Sequence, residues 1–152
     1  MGGILKYLSF RGRSNRKRYW LTVLSIIGLF LASALVGAVL QIVPFLGLIV
    51  IPVWVALVIA IFANATRRLH DRNKSAWWLL LFYVVPVILG IPFQLAQYGP
   101  QDGFQALAAL LVLVSLPFSL WGLVELGFLK GSAGPNRFGE DPLPASQEPA
   151  LA

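Results

Sequence analysis

The sequence predicts an all-α membrane protein: four transmembrane helices in a compact bundle, with both termini in the cytoplasm. Three observations carry this. Of 152 residues, 58% are hydrophobic and only 12% charged, whereas a soluble domain usually carries about 25% charged residues. All twelve Lys and Arg residues fall into three clusters: Lys6 to Arg18, Arg67 to Lys74, and Lys130 with Arg137. Long stretches without charge separate the clusters: 48 residues from Tyr19 to Thr66, 27 from Ser75 to Gln101, and 22 from Gly103 to Val124.

A helix crossing ~30 Å of hydrocarbon needs about 20 apolar residues, so the longest stretch divides into two spans. Pro44 and Gly47, with Gln41 just before them, mark the turn, since proline and glycine punctuate helices. Span one is then about 20–40 and span two about 48–66. Ser14 or Asn15 is placed to cap a helix starting at Arg16. Ala32-Ser33-Ala34 imitates a signal cleavage site, but the apolar run continues past it to Val43, so the segment reads as an uncleaved first span. Span three, about 77–93, contains Pro86, Gly90 and Pro92 and is expected to kink or tilt. Span four, about 105–126, contains Pro117. Ile4, Leu5, Tyr7, Leu8 and Phe10 form an apolar patch suited to the interface plane. The membrane domain is thus 1–142, and 143–152, with Pro144 and Pro149, reads as a disordered cytoplasmic tail.

Orientation follows from the basic residues. The turn near Pro44 and the loop Gln94–Gln105 have none, so the basic side is cytoplasmic by the positive-inside rule. Tyr19 and Trp20, and Trp77 and Trp78, stand at the cytoplasmic ends of spans one and three as interfacial anchors.

The polar residues gather in three places. Arg11, Arg13 and Arg16 precede span one and can contact lipid phosphates; their simpler reading is topology determination with nonspecific attraction to anionic lipid. Arg67, Arg68, His70, Asp71 and Ser75 follow span two. Ala56, Ala60, Ala63, Asn64 and Arg67 share one helix face, whose small residues allow close helix approach. His70 and Asp71 are adjacent and do not face each other on a helix. With one histidine and no cysteine the chain offers no metal set, so no metal, cofactor or catalytic residue is assigned. On span four, Ser115, Ser119, Gly122 and Glu125 form a continuous stripe. Glu125 is expected either to pair with an arginine, Arg68 foremost, or to snorkel to water. Small residues along span one, such as Gly28 and Ala32, suit packing within the bundle or in a homo-oligomer.

Three segments carry a resemblance: Phe10-x-Gly12-Arg13-x-x-Arg16-x-x-Tyr19-Trp20; Arg67-Arg68-Leu69-His70-Asp71-x-x-x-Ser75-x-Trp77-Trp78; and Gly134-Pro135-Asn136-Arg137-Phe138-Gly139-x-Asp141-Pro142. In this order they are similar to the domain of unknown function 805 family of small bacterial inner-membrane proteins. Positions 73 and 76, often glycine in that family, are Asn73 and Ala76 here. The resemblance implies a multi-pass protein of the bacterial inner membrane and supplies no reaction. With it, Asn136 and Arg137 join the candidate binding residues.

The leading functional expectation is a non-enzymatic membrane protein whose basic cytoplasmic rim engages anionic phospholipid headgroups or a partner protein. A subunit of a small oligomeric transporter or channel, and a membrane enzyme acting on lipid headgroups through His70 and Asp71, are the alternatives. Nucleic acid is not expected as a partner, because the basic residues flank apolar runs where headgroups are nearer.

Overall fold

The computed structural model describes residues 7–40, 45–98 and 103–143 and is all-helical there, with one isolated two-residue bridge. Four α-helices form: α1 (Arg16–Leu40), α2 (Val50–Asp71), α3 (Val85–Ala96) and α4 (Gly103–Leu123). A 3-10 turn, Leu46–Ile49, leads into α2, while π-helical turns, Leu80–Val84 and Val124–Phe128, precede α3 and follow α4. Among the described residues three helices are long and apolar enough to cross a membrane: Arg16–Leu40, Val50–Asp71 and Phe104–Phe128. The apolar helix Leu80–Ala96 is shorter. Of the turn expected around Gln41, Pro44 and Gly47, Gly47 falls in the 3-10 turn, while residues 41–44, the patch at Ile4 and Leu5, and the tail from Pro144 lie outside the described residues.

The chain divides into two units. One comprises Met1–Lys74 with Lys130–Ala152, the other Ser75–Leu129.

In the first unit, α1 has 25 residues and spans about 37 Å at 1.5 Å per residue, enough to cross the hydrocarbon layer. Asn15 caps it: its side-chain oxygen accepts the N–H of Arg18 at 2.9 Å, satisfying one of the first-turn donors that a helix leaves open. The helices α1 and α2 pack antiparallel. Gly37 lies against Val50, the Trp54 indole N–H donates to Ser33 Oγ at 3.0 Å, and the Asn64 side-chain amide donates to the Tyr19 carbonyl at 3.1 Å. Ile26, Leu57 and Ala60 form the buried seam, with Leu8 packed on it. The small-residue face expected of α2 does turn inward, and Ala60, Ala63, Asn64 and Arg67 are all buried. Facing outward, Leu24, Leu31 and Leu35 remain 61%, 63% and 69% exposed. Side chains of that kind suit a hydrocarbon solvent, not water.

Helix α2 runs five residues beyond the expected span and ends in a Schellman motif. Lys74 N–H donates to the Leu69 carbonyl at 2.9 Å and Asn73 N–H to the His70 carbonyl at 3.0 Å. This closure needs a left-handed residue after the cap, and Asn73 supplies it with φ 57°.

In the second unit, α3 and α4 also pack antiparallel. Gln105 donates to the Ala96 carbonyl at 3.2 Å, and Gly122 lies against Phe82, whose Cβ a side chain at 122 would meet at 2.8 Å. Trp78, Phe82 and Trp121 form an aromatic cluster with centroid separations of 5.4–5.9 Å. The irregularity expected of span three is a π-helical turn just before Pro86. Pro86 has no N–H to donate, so the ladder must be rearranged there.

Candidate functional site

The first unit carries a polar network at the end of α2, assembled from three segments far apart in sequence. Arg13 is its centre. The irregular segment before α1 delivers it: Ser14 N–H donates to the Arg67 carbonyl at 3.0 Å, clamping this segment to α2. The guanidinium is almost completely buried. Its Nε donates to Asp71 Oδ1 at 3.1 Å, Nη1 to the Gly134 carbonyl at 2.6 Å, and Nη2 to the Ser132 carbonyl at 2.6 Å. One planar fork thus holds the end of α2 and the segment after residue 130 together, a task for which the fixed five-donor geometry of arginine is suited.

Asp71 is the counter-charge. Its other oxygen accepts from Arg68 Nη1, so two cations flank one carboxylate, all three buried. Charges removed from water cost several kcal/mol each unless paired and hydrogen-bonded, and here each oxygen of the carboxylate has a charged donor. The Asp71 backbone takes part as well: its carbonyl accepts both the N–H and the hydroxyl of Ser132, at 2.8 and 3.0 Å. Gly131 makes that approach feasible. A Cβ at this position would lie 2.0 Å from Asp71 Oδ2, so no other residue fits without displacing the carboxylate.

His70 lies beside this network and is occupied differently. Its ring stacks on Phe138 at 3.8 Å between centroids and 4° between planes. Nδ1 is 3.2 Å from the Gly12 carbonyl, a hydrogen bond that requires the proton on Nδ1. Arg137 covers the same Phe138 ring, 4.6 Å from its centroid, and donates to the Asn73 carbonyl at 3.1 Å. Asn136 donates to the His70 carbonyl and to Ser132 Oγ, both at 2.9 Å. A two-residue turn, Asn136 to Gly139 with paired 3.0 Å hydrogen bonds, presents Arg137 and Phe138. Asp141 closes the loop, accepting the N–H groups of Gly134 and Leu143 at 2.8 and 2.9 Å. Those two bonds, that to Leu143 first, hold its carboxyl below the usual carboxylate range.

Of the residues singled out from the sequence, Arg13, Arg68, His70, Asp71, Asn136 and Arg137 meet in this network. Arg67 is buried but turns its Nε back to the Ala63 carbonyl of its own helix at 3.3 Å. Arg11 and Arg16 are exposed. Tyr19 is buried, with its ring edge-on to Trp20. Ser75, Trp77, Trp78 and Glu125 belong to the second unit. There Trp77 is 76% exposed, whereas Glu125 is 2% exposed. Gly131 and Ser132 were not legible as site residues, because Gly131 to Asn136 has the composition of an ordinary loop, and Asp141 stood out only as part of the third resemblance segment. The available signal was the order Gly134-Pro135-Asn136-Arg137-Phe138-Gly139, too specific for a spacer.

Comparison with known proteins agrees with the three segments. Residues 7–140 match the family described as "Protein of unknown function (DUF805)". Inner membrane protein YhaI of Escherichia coli (strain K12) is 30% identical over 146 residues, covering 90% of this chain and 87% of that protein. Inner membrane protein YhaH of the same strain is also 30% identical, covering 90% and 88%. Uncharacterized protein YiiR is 27% identical over 135 residues, covering 88% and 85%. No solved structure matches the chain. Its apolar helices, its three motif segments and these relatives together make the chain a multi-pass inner-membrane protein of the DUF805 family.

Proposed function

We propose that the protein is a non-enzymatic, four-span membrane protein with both termini in the cytoplasm, whose cationic rim engages anionic phospholipid headgroups. The observation that carries this reading is a division of labour among the arginines. Arg13, Arg67 and Arg68 are buried, while Arg11, Arg16, Lys17 and Arg18 are exposed around the start of α1. Headgroups meet a helix at this depth, and each basic residue near an anionic surface is worth about 1 kcal/mol. The buried network then serves as the scaffold that holds the exposed cations in place. Two further features favour this reading. His70 is engaged by Gly12 and Phe138, which weighs against an enzyme using it as a base. The hydroxyls of Ser115 and Ser119 donate back to their own helix, at 2.6 and 3.4 Å, which weighs against a polar pathway along that face.

The test is native mass spectrometry of protein purified in mild detergent and exposed to phosphatidylglycerol. The wild type should retain several such lipids, and Arg11→Gln/Lys17→Gln/Arg18→Gln should retain fewer, in a salt-dependent manner. Equal retention by both proteins would refute the lipid reading and leave a protein partner as the occupant of the rim.

A further inference from the structure

A cleft of about 380 Å³ opens in the first unit between the start of α1, the end of α2 and the segment 130–143. That volume lies within the range of small-ligand sites. Its walls carry three cations, Arg16, Arg68 and Lys130, and three carboxylates, Asp71, Glu140 and Asp141. They are not equally accessible. Arg68 and Asp71 are buried against each other, and the Asp141 oxygens accept backbone N–H groups. Arg16, Lys130 and Glu140 are exposed and Asp141 is partly exposed, so an incoming molecule meets two positive groups and a carboxylate wall in which Glu140 is the more accessible member.

This charge pattern differs from the rim. A purely cationic surface favours any anion, but a cleft with a carboxylate in its wall penalises a ligand that is only negative. It favours one carrying a phosphate and, a few bonds away, a protonated amine. Position narrows the choice: Arg16 begins one membrane-capable helix and Arg68 lies in the last turn of another, which is headgroup depth. We infer that this cleft binds a zwitterionic phosphoryl-ethanolamine group, with its phosphate toward Arg16 and Lys130 and its ammonium toward Glu140. The inference rests on the membrane reading above but not on the rim cations Arg11, Lys17 and Arg18, none of which lines the cleft.

The experiment is titration of the detergent-purified full chain with dihexanoyl phosphatidylethanolamine, dihexanoyl phosphatidylglycerol and O-phosphoethanolamine. Wild-type protein should bind the ethanolamine lipid saturably and more tightly than the glycerol lipid. Glu140→Gln should weaken the ethanolamine lipid about tenfold, as loss of a charge-assisted hydrogen bond does, without weakening the glycerol lipid. Lys130→Gln should weaken both. Glu140 and Lys130 are exposed, so both variants should melt like the wild type. O-phosphoethanolamine that competes as well as the lipid would identify a free phosphoryl amine as the ligand, and failure to compete would identify the lipid; either supports the site. Ethanolamine-lipid affinity unchanged in Glu140→Gln, or a wild type that binds the glycerol lipid equally well, overturns it. Because the rim variant is tested separately, failure here and failure there are distinguishable.

Discussion

Replacing Arg13 with alanine removes a side chain that no neighbour can replace. The guanidinium donates to Asp71, to the Ser132 carbonyl and to the Gly134 carbonyl. After substitution Arg68 remains as the charged partner of Asp71, and two loop carbonyls lose their shortest donors. Removing one partner of a buried charge pair costs about 3–5 kcal/mol. Treating each of the three bonds as worth about 1.5–3 kcal/mol for a charged group brackets the same range from above, since such terms are not additive. At about 2–4 °C per kcal/mol for a chain of this size, the melting temperature of the detergent-purified protein should fall by roughly 6–20 °C. The assay is thermal unfolding followed by tryptophan fluorescence, paired with limited proteolysis of the segment 130–143. That segment should become cleavable at temperatures where the wild type resists. Arg13→Lys keeps the charge but loses the fork and should recover less than half of the loss. A double-mutant cycle with Asp71→Ala should show coupling above about 1 kcal/mol. A shift below 2 °C for Arg13→Ala, with unchanged proteolysis and no coupling, would refute the view that this contact holds the segments together.

Gly131→Ala should be as damaging as Arg13→Ala by the same melting assay, because its Cβ would occupy the position of the Asp71 carboxylate. Asn15→Ala should cost about 0.5–2 kcal/mol through loss of the α1 cap. Ser14→Ala, one residue earlier, should be neutral or slightly stabilising, since the buried Ser14 hydroxyl finds no partner among the described residues. Asp141 is held below its ordinary pKa in the folded protein. Its stabilising contribution is therefore complete above the unfolded carboxylate range and is lost as pH falls through the depressed folded value. Asp141→Asn should flatten the acid side of a melting-temperature profile, and an identical acid slope in wild type and variant would contradict that.

The sequence by itself determined the all-helical, membrane-embedded character and the approximate helix positions, because hydropathy and charge spacing act locally and along one dimension. It also narrowed the cap of α1 to Ser14 or Asn15, and the structure chose Asn15. Asn64 was legible as an inward-facing residue from the same kind of local spacing. What only the tertiary structure decided is the fate of the charges. A count of arginines cannot tell Arg11, which is exposed, from Arg13, which is buried, though they stand two residues apart. The difference arises because Asp71 and the carbonyls of Ser132 and Gly134 converge on one of them and not the other. Those partners lie 58 to 121 positions away along the chain. Their convergence depends on chain path, and desolvation makes it decisive: a guanidinium can leave water only where enough acceptors already wait for it.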